Sequence, residues 1–130
     1  ASNLYDPFRV AVGSSSKLKQ NKKTYQMDYR NSFEAIREVG FDLNEGADMV
    51  MVKPGMFYLD IIYKLKNMFN VPILAYQVSG EYSLIKNAIN NKLLKEDAII
   101  ESILSFKRAG ACAIITYFAI DIAKKIKSIN

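Results

Sequence analysis

Apolar and polar positions alternate along this chain in two rhythms. Three stretches are nearly continuous in apolar residues: Asp48-Met49-Val50-Met51-Val52-Lys53-Pro54-Gly55, Val71 to Val78, and Cys112 to Tyr117. Short runs bounded by Gly46, Pro54-Gly55 and Pro72 predict buried strands of a parallel sheet, the first of them covered on both faces. Pro72 is tolerable only at a strand's start. Between and around the strands the spacing changes to that of a helix. Asn31 followed by Glu34 has the spacing of a capping box and opens a helix with Ile36, Val39 and Leu43 on one face, weakened by Gly40 and ended by Gly46. Tyr58, Ile62, Leu65 and Phe69 fall at i, i+4, i+7 and i+11, with Asp60 and Lys64 outward as an i,i+4 pair. Helices are also predicted around Leu84 to Ile89, from about Asp97 to Arg108 with Ile99, Ile100, Ile103 and Leu104 inward and Gly110 as the stop, and from Ile120 to Ile129 with Lys124, Lys125 and Lys127 near its C-terminus.

Residues 1 to about 31 sustain neither period and carry Gly13-Ser14-Ser15-Ser16 with Lys17, Lys19, Lys22 and Lys23, so they predict a long loop of the kind that forms lids and binding sites. The order is then loop, helix, and strand-helix three times, an α/β pattern with right-handed crossovers. Three strands cannot close an eight-fold barrel, which takes about 250 residues, so the pattern is a small open sheet or a piece of a barrel. A piece would leave unpaired edges and expose Val50, Val52, Ile73, Ile114 and Ile115.

Lys53, Ser79 and Tyr117 each end or follow a predicted strand, which places them on the C-terminal edge where such sheets carry their active sites. Burial at a strand tip disfavours an ammonium ion, and the free amine that results attacks ketones, the chemistry of a Schiff-base lysine. A lysine that snorkels to solvent is the alternative. Arg9, framed by Pro7-Phe8 and Val10-Ala11-Val12, offers a fork of donors for a carboxylate.

Composition narrows the classes. The 130 residues are 50% hydrophobic and 24% charged, as in one globular domain, with a net charge of +5. The lysines are scattered, without an arginine-aromatic stripe, so a nucleic-acid partner is not expected. No run of about 18 apolar residues predicts a membrane span. The first residues lack a starting Met and a signal-like stretch, the expectation for a cut terminus. One cysteine, Cys112, and no histidine leave no disulfide framework or Cys/His zinc cluster. No Gly-rich phosphate loop follows any strand.

The chain resembles the C-terminal part of the delta-aminolevulinic acid dehydratase, or porphobilinogen synthase, family. The resemblance rests on Tyr5-Asp6-Pro7-Phe8-Arg9, Lys22-Lys23-Thr24-Tyr25-Gln26-Met27, Glu45 to Pro54, Tyr58-Leu59-Asp60-Ile61, Ala75-Tyr76-Gln77-Val78-Ser79-Gly80-Glu81-Tyr82, Ser105 to Ala111 and Ile115-Thr116-Tyr117-Phe118. It implies a TIM barrel of which residues 1–31 are the active-site lid loop and residues 32–130 a helix and the last three βα units. It implies a lyase that condenses two molecules of 5-aminolevulinate into porphobilinogen in haem and tetrapyrrole synthesis. By the same resemblance Lys53 forms the Schiff base, Ser79 and Tyr117 bind the first substrate's carboxylate, and Arg9, Lys22 and Gln26 hold the second. Glu38 matches a ligand of an allosteric Mg2+ ion between subunits of a homo-octamer, with an exposed helix carboxylate as the alternative. A second active-site lysine and any Zn2+ site would lie outside this chain. Asp6 stands where the family commonly has Gly, and Cys112 where it commonly has Asp. A cytoplasmic or plastid location is expected, the plastid of apicoplast type if the abundance of Lys, Asn and Ile reflects AT-rich coding. Another Schiff-base barrel lyase or aldolase, and a non-catalytic basic binding module, are the competing readings.

Overall fold

The computed structural model describes residues 2–13 and 26–129. A 3-10 turn at Asn3–Tyr5 leads into α1 (Asp6–Ala11), and α2 (Ser32–Asn44) precedes β1 (Val50–Val52). A second 3-10 turn, Met56–Tyr58, opens α3 (Leu59–Met68), followed by β2 (Ile73–Gln77), α4 (Ser79–Asn90), α5 (Asp97–Ala109), β3 (Ala113–Thr116) and α6 (Ala119–Ile129). The strands form one parallel sheet in the order β1-β2-β3, with Val52 beside Ala75 and Ala75 beside Ile114.

The helices form where the spacing placed them. The Asn31 side chain accepts hydrogen bonds from the Phe33 and Glu34 amides at 3.1 and 3.3 Å, capping α2. Helix α5 stops at Gly110, in the left-handed conformation, and Ala111 N–H returns to the Phe106 carbonyl at 3.0 Å. Ile61, Ile62 and Leu65 of α3 are buried against Val50, Val52, Ile73, Ala75 and Phe106. Each such side chain contributes roughly 1.5–3 kcal/mol by leaving water. Buried Gln77 joins three elements: Thr116 Oγ1 donates to its Oε1 at 2.6 Å, and its Nε2 donates to Ser102 Oγ of α5 at 3.2 Å.

Four expectations change. Residues 3–11 are helical rather than loop, because Ser2 Oγ accepts the Leu4 amide, Pro7 sits in the first turn of α1, and the segment packs on α4. A Cβ on Gly80 would lie 2.9 Å from Leu4 Cα, so only glycine permits that approach. Asp6, the family departure, becomes the first residue of α1, where an acid suits the helix dipole. Among the described residues, strand β1 is covered on one face only: Val50 and Val52 are buried and Met51 is exposed. The bare face therefore carries Met51 and Ile115, while Val50, Val52 and Ile73 are buried by helices and Ile114 is partly buried. In α5, Leu104 is exposed, and Phe106 fills the core instead.

Candidate active site

Strand alternation decides which residues can meet on the open face. Val50, Val52, Ile73, Ala75 and Gln77 point to the helices, so Met51, Lys53, Leu74, Tyr76, Ile115 and Tyr117 share the other side. Extending the register one residue beyond Val52 sets Lys53 beside Tyr76. Lys53 Nζ stands 5.0 Å from the Tyr76 ring centroid and 5.8 Å from that of Tyr5, within reach of cation–π attraction. The Tyr5 hydroxyl donates to the Lys53 carbonyl at 2.8 Å. On the same Tyr5 ring, at 5.1 Å, lies the Arg9 guanidinium, which also pairs with Asp6 at 3.6 Å. Tyr5 thus bridges the Arg9 helix and the Lys53 backbone. Burial, with the nearby Tyr58, pushes the Tyr5 hydroxyl up to about 12.

Lys53 is at the C-terminal tip of β1, as expected, but it is exposed. Of the two readings of Lys53, the structure shows the lysine that reaches solvent, because Lys53 lies on the face that no described helix covers.

The other strand tips reach the same edge. Ser79 opens α4 and its Oγ accepts the Phe8 amide at 3.2 Å, so α1 is hooked to it one residue from Arg9. Tyr117 follows β3, its ring 5.5 Å from that of Tyr82. Burial pushes its hydroxyl up, and a side-chain hydrogen bond with Tyr76 adds to the effect. Tyr76 therefore touches both Lys53 and Tyr117. Arg9 and Lys53 meet through Tyr5, Tyr117 through Tyr76, and Ser79 through the α1 backbone.

The remaining candidates are placed differently. Gln26 lines a cavity of about 780 Å³ with Tyr5, Lys53, Tyr58, Asp28 and Glu38, while Arg9, Ser79 and Tyr117 lie outside its wall. In that wall Arg30 holds the Asp28 carboxyl well below the usual range. Glu38 is half-exposed on α2, with Arg37 at 3.3 Å. It supplies a hard oxygen suited to Mg2+, but among the described residues no group of three or more His, Cys, Asp or Glu could hold a metal ion. One carboxylate does not complete a site on this chain, and no chemical step is routed through a metal. Lys22 lies outside the described residues.

Three site residues were missed as functional candidates: Tyr5, Tyr76 and Glu81. All lie inside the resemblance-bearing words. Glu81 carried a further signal, an acid three residues past a strand end, the spacing of a capping box. It is fully buried. Burial raises its carboxyl, while backbone N–H donors at Val78, Met56, Gly55 and Phe57 oppose that rise.

Parallel βα units with a lysine, a serine and a tyrosine along their C-terminal edge have the arrangement of part of a TIM barrel or of an open α/β sheet. The family model for delta-aminolevulinic acid dehydratase matches residues 1–125. The enzyme of that name from Bradyrhizobium diazoefficiens is 54% identical over 129 residues, covering 98% of this chain and 36% of the relative. That from Rhodobacter capsulatus is 55% identical over 127 residues, covering 97% and 38%. The crystal structure of delta-aminolevulinic acid dehydratase from Toxoplasma gondii ME49, in complex with the reaction product porphobilinogen, matches with a TM-score of 0.91 at 48% identity, over 96% of this chain and 36% of that one. The chain belongs to the delta-aminolevulinic acid dehydratase family, and its sheet is the C-terminal part of that family's barrel. It spans little more than a third of the length of these relatives.

Proposed function

We propose that the protein carrying this chain is a porphobilinogen synthase, which condenses two molecules of 5-aminolevulinate into porphobilinogen with loss of two waters, in haem and tetrapyrrole synthesis. One observation carries the reading: Lys53 stands at a strand tip with the Tyr76 and Tyr5 rings beside it, in a chain 48% identical to an enzyme crystallised with porphobilinogen. The unprotonated Lys53 amine adds to the ketone carbon of the first substrate. Loss of water from the adduct forms the carbon–nitrogen double bond. Ser79 and Tyr117 hold that substrate's carboxylate, and Arg9, Lys22 and Gln26 the second one's.

The aldolase and binding-module readings lack this support, since neither calls for the lid words or the Ala75 to Tyr82 stretch. Assembly into a homo-octamer, an allosteric Mg2+ bound by Glu38 and donors beyond this chain, and a cytoplasmic or plastid location belong to the same proposal. The test is porphobilinogen formation from 5-aminolevulinate by the full-length protein and by its Lys53→Ala variant. Turnover by the first and none above background by the second is expected. A folded Lys53→Ala protein with undiminished turnover contradicts the proposal.

A further inference from the structure

Among the described residues the buried carboxyl group of Glu81 bonds to no side chain, yet it joins the two backbone corners that present Lys53 and Ser79. Its Oε1 accepts the Met56 amide at 2.7 Å. Its Oε2 accepts the Val78 amide at 2.9 Å and the Gly55 amide at 3.5 Å. Gly55 and Met56 follow Lys53-Pro54, and Val78 directly precedes Ser79. An acid in the first turn of α4 completes its cap with Val78 alone. The bonds to Gly55 and Met56 reach into a different βα unit, 26 and 25 residues away in sequence, and capping does not require them.

A carboxyl group that accepts three backbone amides has no partner in reach for a proton of its own, and its bonds to Met56 and Val78 at 2.7 and 2.9 Å are the short ones. Strand pairing ends at Val52–Ala75 on this side, so beyond it no ladder bond fixes the separation of the two corners. Glu81 spans them with a single side chain, beside the longer route from the Lys53 carbonyl through Tyr5 and α1 to Ser79.

We propose that Glu81 is a positioning residue, a buried clamp that fixes the Lys53–Met56 corner against the Val78–Ser79 corner and so sets where the Lys53 amine stands relative to Ser79. The proposal rests on the Lys53 imine reading. Its consequence is that weakening the clamp slows imine formation at Lys53 in molecules that remain folded.

The experiment uses the full-length protein as wild type, Glu81→Gln and Glu81→Asp. The rate of borohydride-trappable imine formation at saturating 5-aminolevulinate is measured per folded molecule, with folding followed by circular dichroism. Gln keeps the size and one acceptor, while Asp is too short to span both corners. A fall of about tenfold or more is expected in both, since small misplacements of a reacting group have effects of this order. An unchanged rate in a folded variant overturns the clamp, because a purely structural role lowers the amount of folded enzyme and leaves the rate per molecule alone. If neither variant folds, amide hydrogen exchange on the wild type decides. The Met56 amide is expected to be protected by about fivefold or more over an unbonded amide before substrate is added, and free exchange there overturns the clamp. Wild type that shows no label at Lys53 overturns the imine reading instead.

Discussion

The two faces of the sheet divide the work between them. On one, Val50, Val52, Ile73 and Ala75 are packed by α3 and α5, and Gln77 is buried with its hydrogen bonds made. On the other, Met51 and Ile115 are exposed, the Lys53 amine stands 5.0 Å from the Tyr76 ring centroid, and Tyr76 neighbours Tyr117. Neighbouring residues of one strand thus have opposite duties: Val52 holds the strand down and Lys53 presents its amine. The backed face supplies the rigidity against which an open-face side chain can be placed. Substitutions on the first should therefore be read in stability, and on the second in chemistry.

The largest effect is expected at Phe106, which is fully buried on the backed face. Phe106→Ala should remove roughly 3–5 kcal/mol of stability in urea unfolding. A loss below about 1 kcal/mol would mean that α5 does not hold the sheet. On the substrate side, Arg9→Ala removes the cation proposed to hold the second substrate's carboxylate, an interaction worth about 1.5–3 kcal/mol as a charged hydrogen bond. It should raise KM for the second substrate while imine formation at Lys53 continues. Collapse of both would erase the division into two subsites.

Tyr5→Phe loses the hydrogen bond to the Lys53 carbonyl, about 1 kcal/mol. Its pH signature has a definite sign. The Tyr5 hydroxyl titrates at about 12 when folded, against 10.0 ordinarily, so the folded state holds this proton more tightly than the unfolded one. The contribution is complete below pH 10 and is lost as pH rises through 12. Stability of the wild type should fall more steeply in that window than stability of Tyr5→Phe, and equal slopes would remove Tyr5 from the buried site. The smallest stability effect, about 1 kcal/mol or less, is expected for Tyr76→Phe on the open face. Its readout is spectroscopic: the Tyr117 hydroxyl should titrate lower once Tyr76 no longer bonds to it.

The sequence made the strands, the order of elements and the strand-tip positions of Lys53, Ser79 and Tyr117 legible, because short apolar runs and helical spacing are local signals. Helix α1 was not legible in the same way. Six residues set no period, and its partners, Ser79 and Gly80, lie far along the chain. The exposure of Met51 was misread for a related reason, and the choice between a buried and a solvent-reaching Lys53 stayed open: an apolar run predicts a strand, but whether both faces are covered depends on what packs opposite. Leu104 was placed inward as the neighbour of Ile103, whereas the buried stripe continues from Ile99 and Ile103 to Phe106, at i, i+4 and i+7. Glu81 was readable as a cap, whereas its bonds to Gly55 and Met56 depend on how two βα units sit side by side. The family resemblance identified the substrate-binding candidates, and Tyr5 and Tyr76 emerged as the links between them only from the geometry.

Central to all of this is the claim that Lys53 is the nucleophile. The most direct measurement is borohydride reduction of the full-length protein in the presence of 5-aminolevulinate, followed by peptide mapping. A label on Lys53, absent without substrate, is the predicted result. A label found only on another residue, with Lys53 unmodified, would contradict the account.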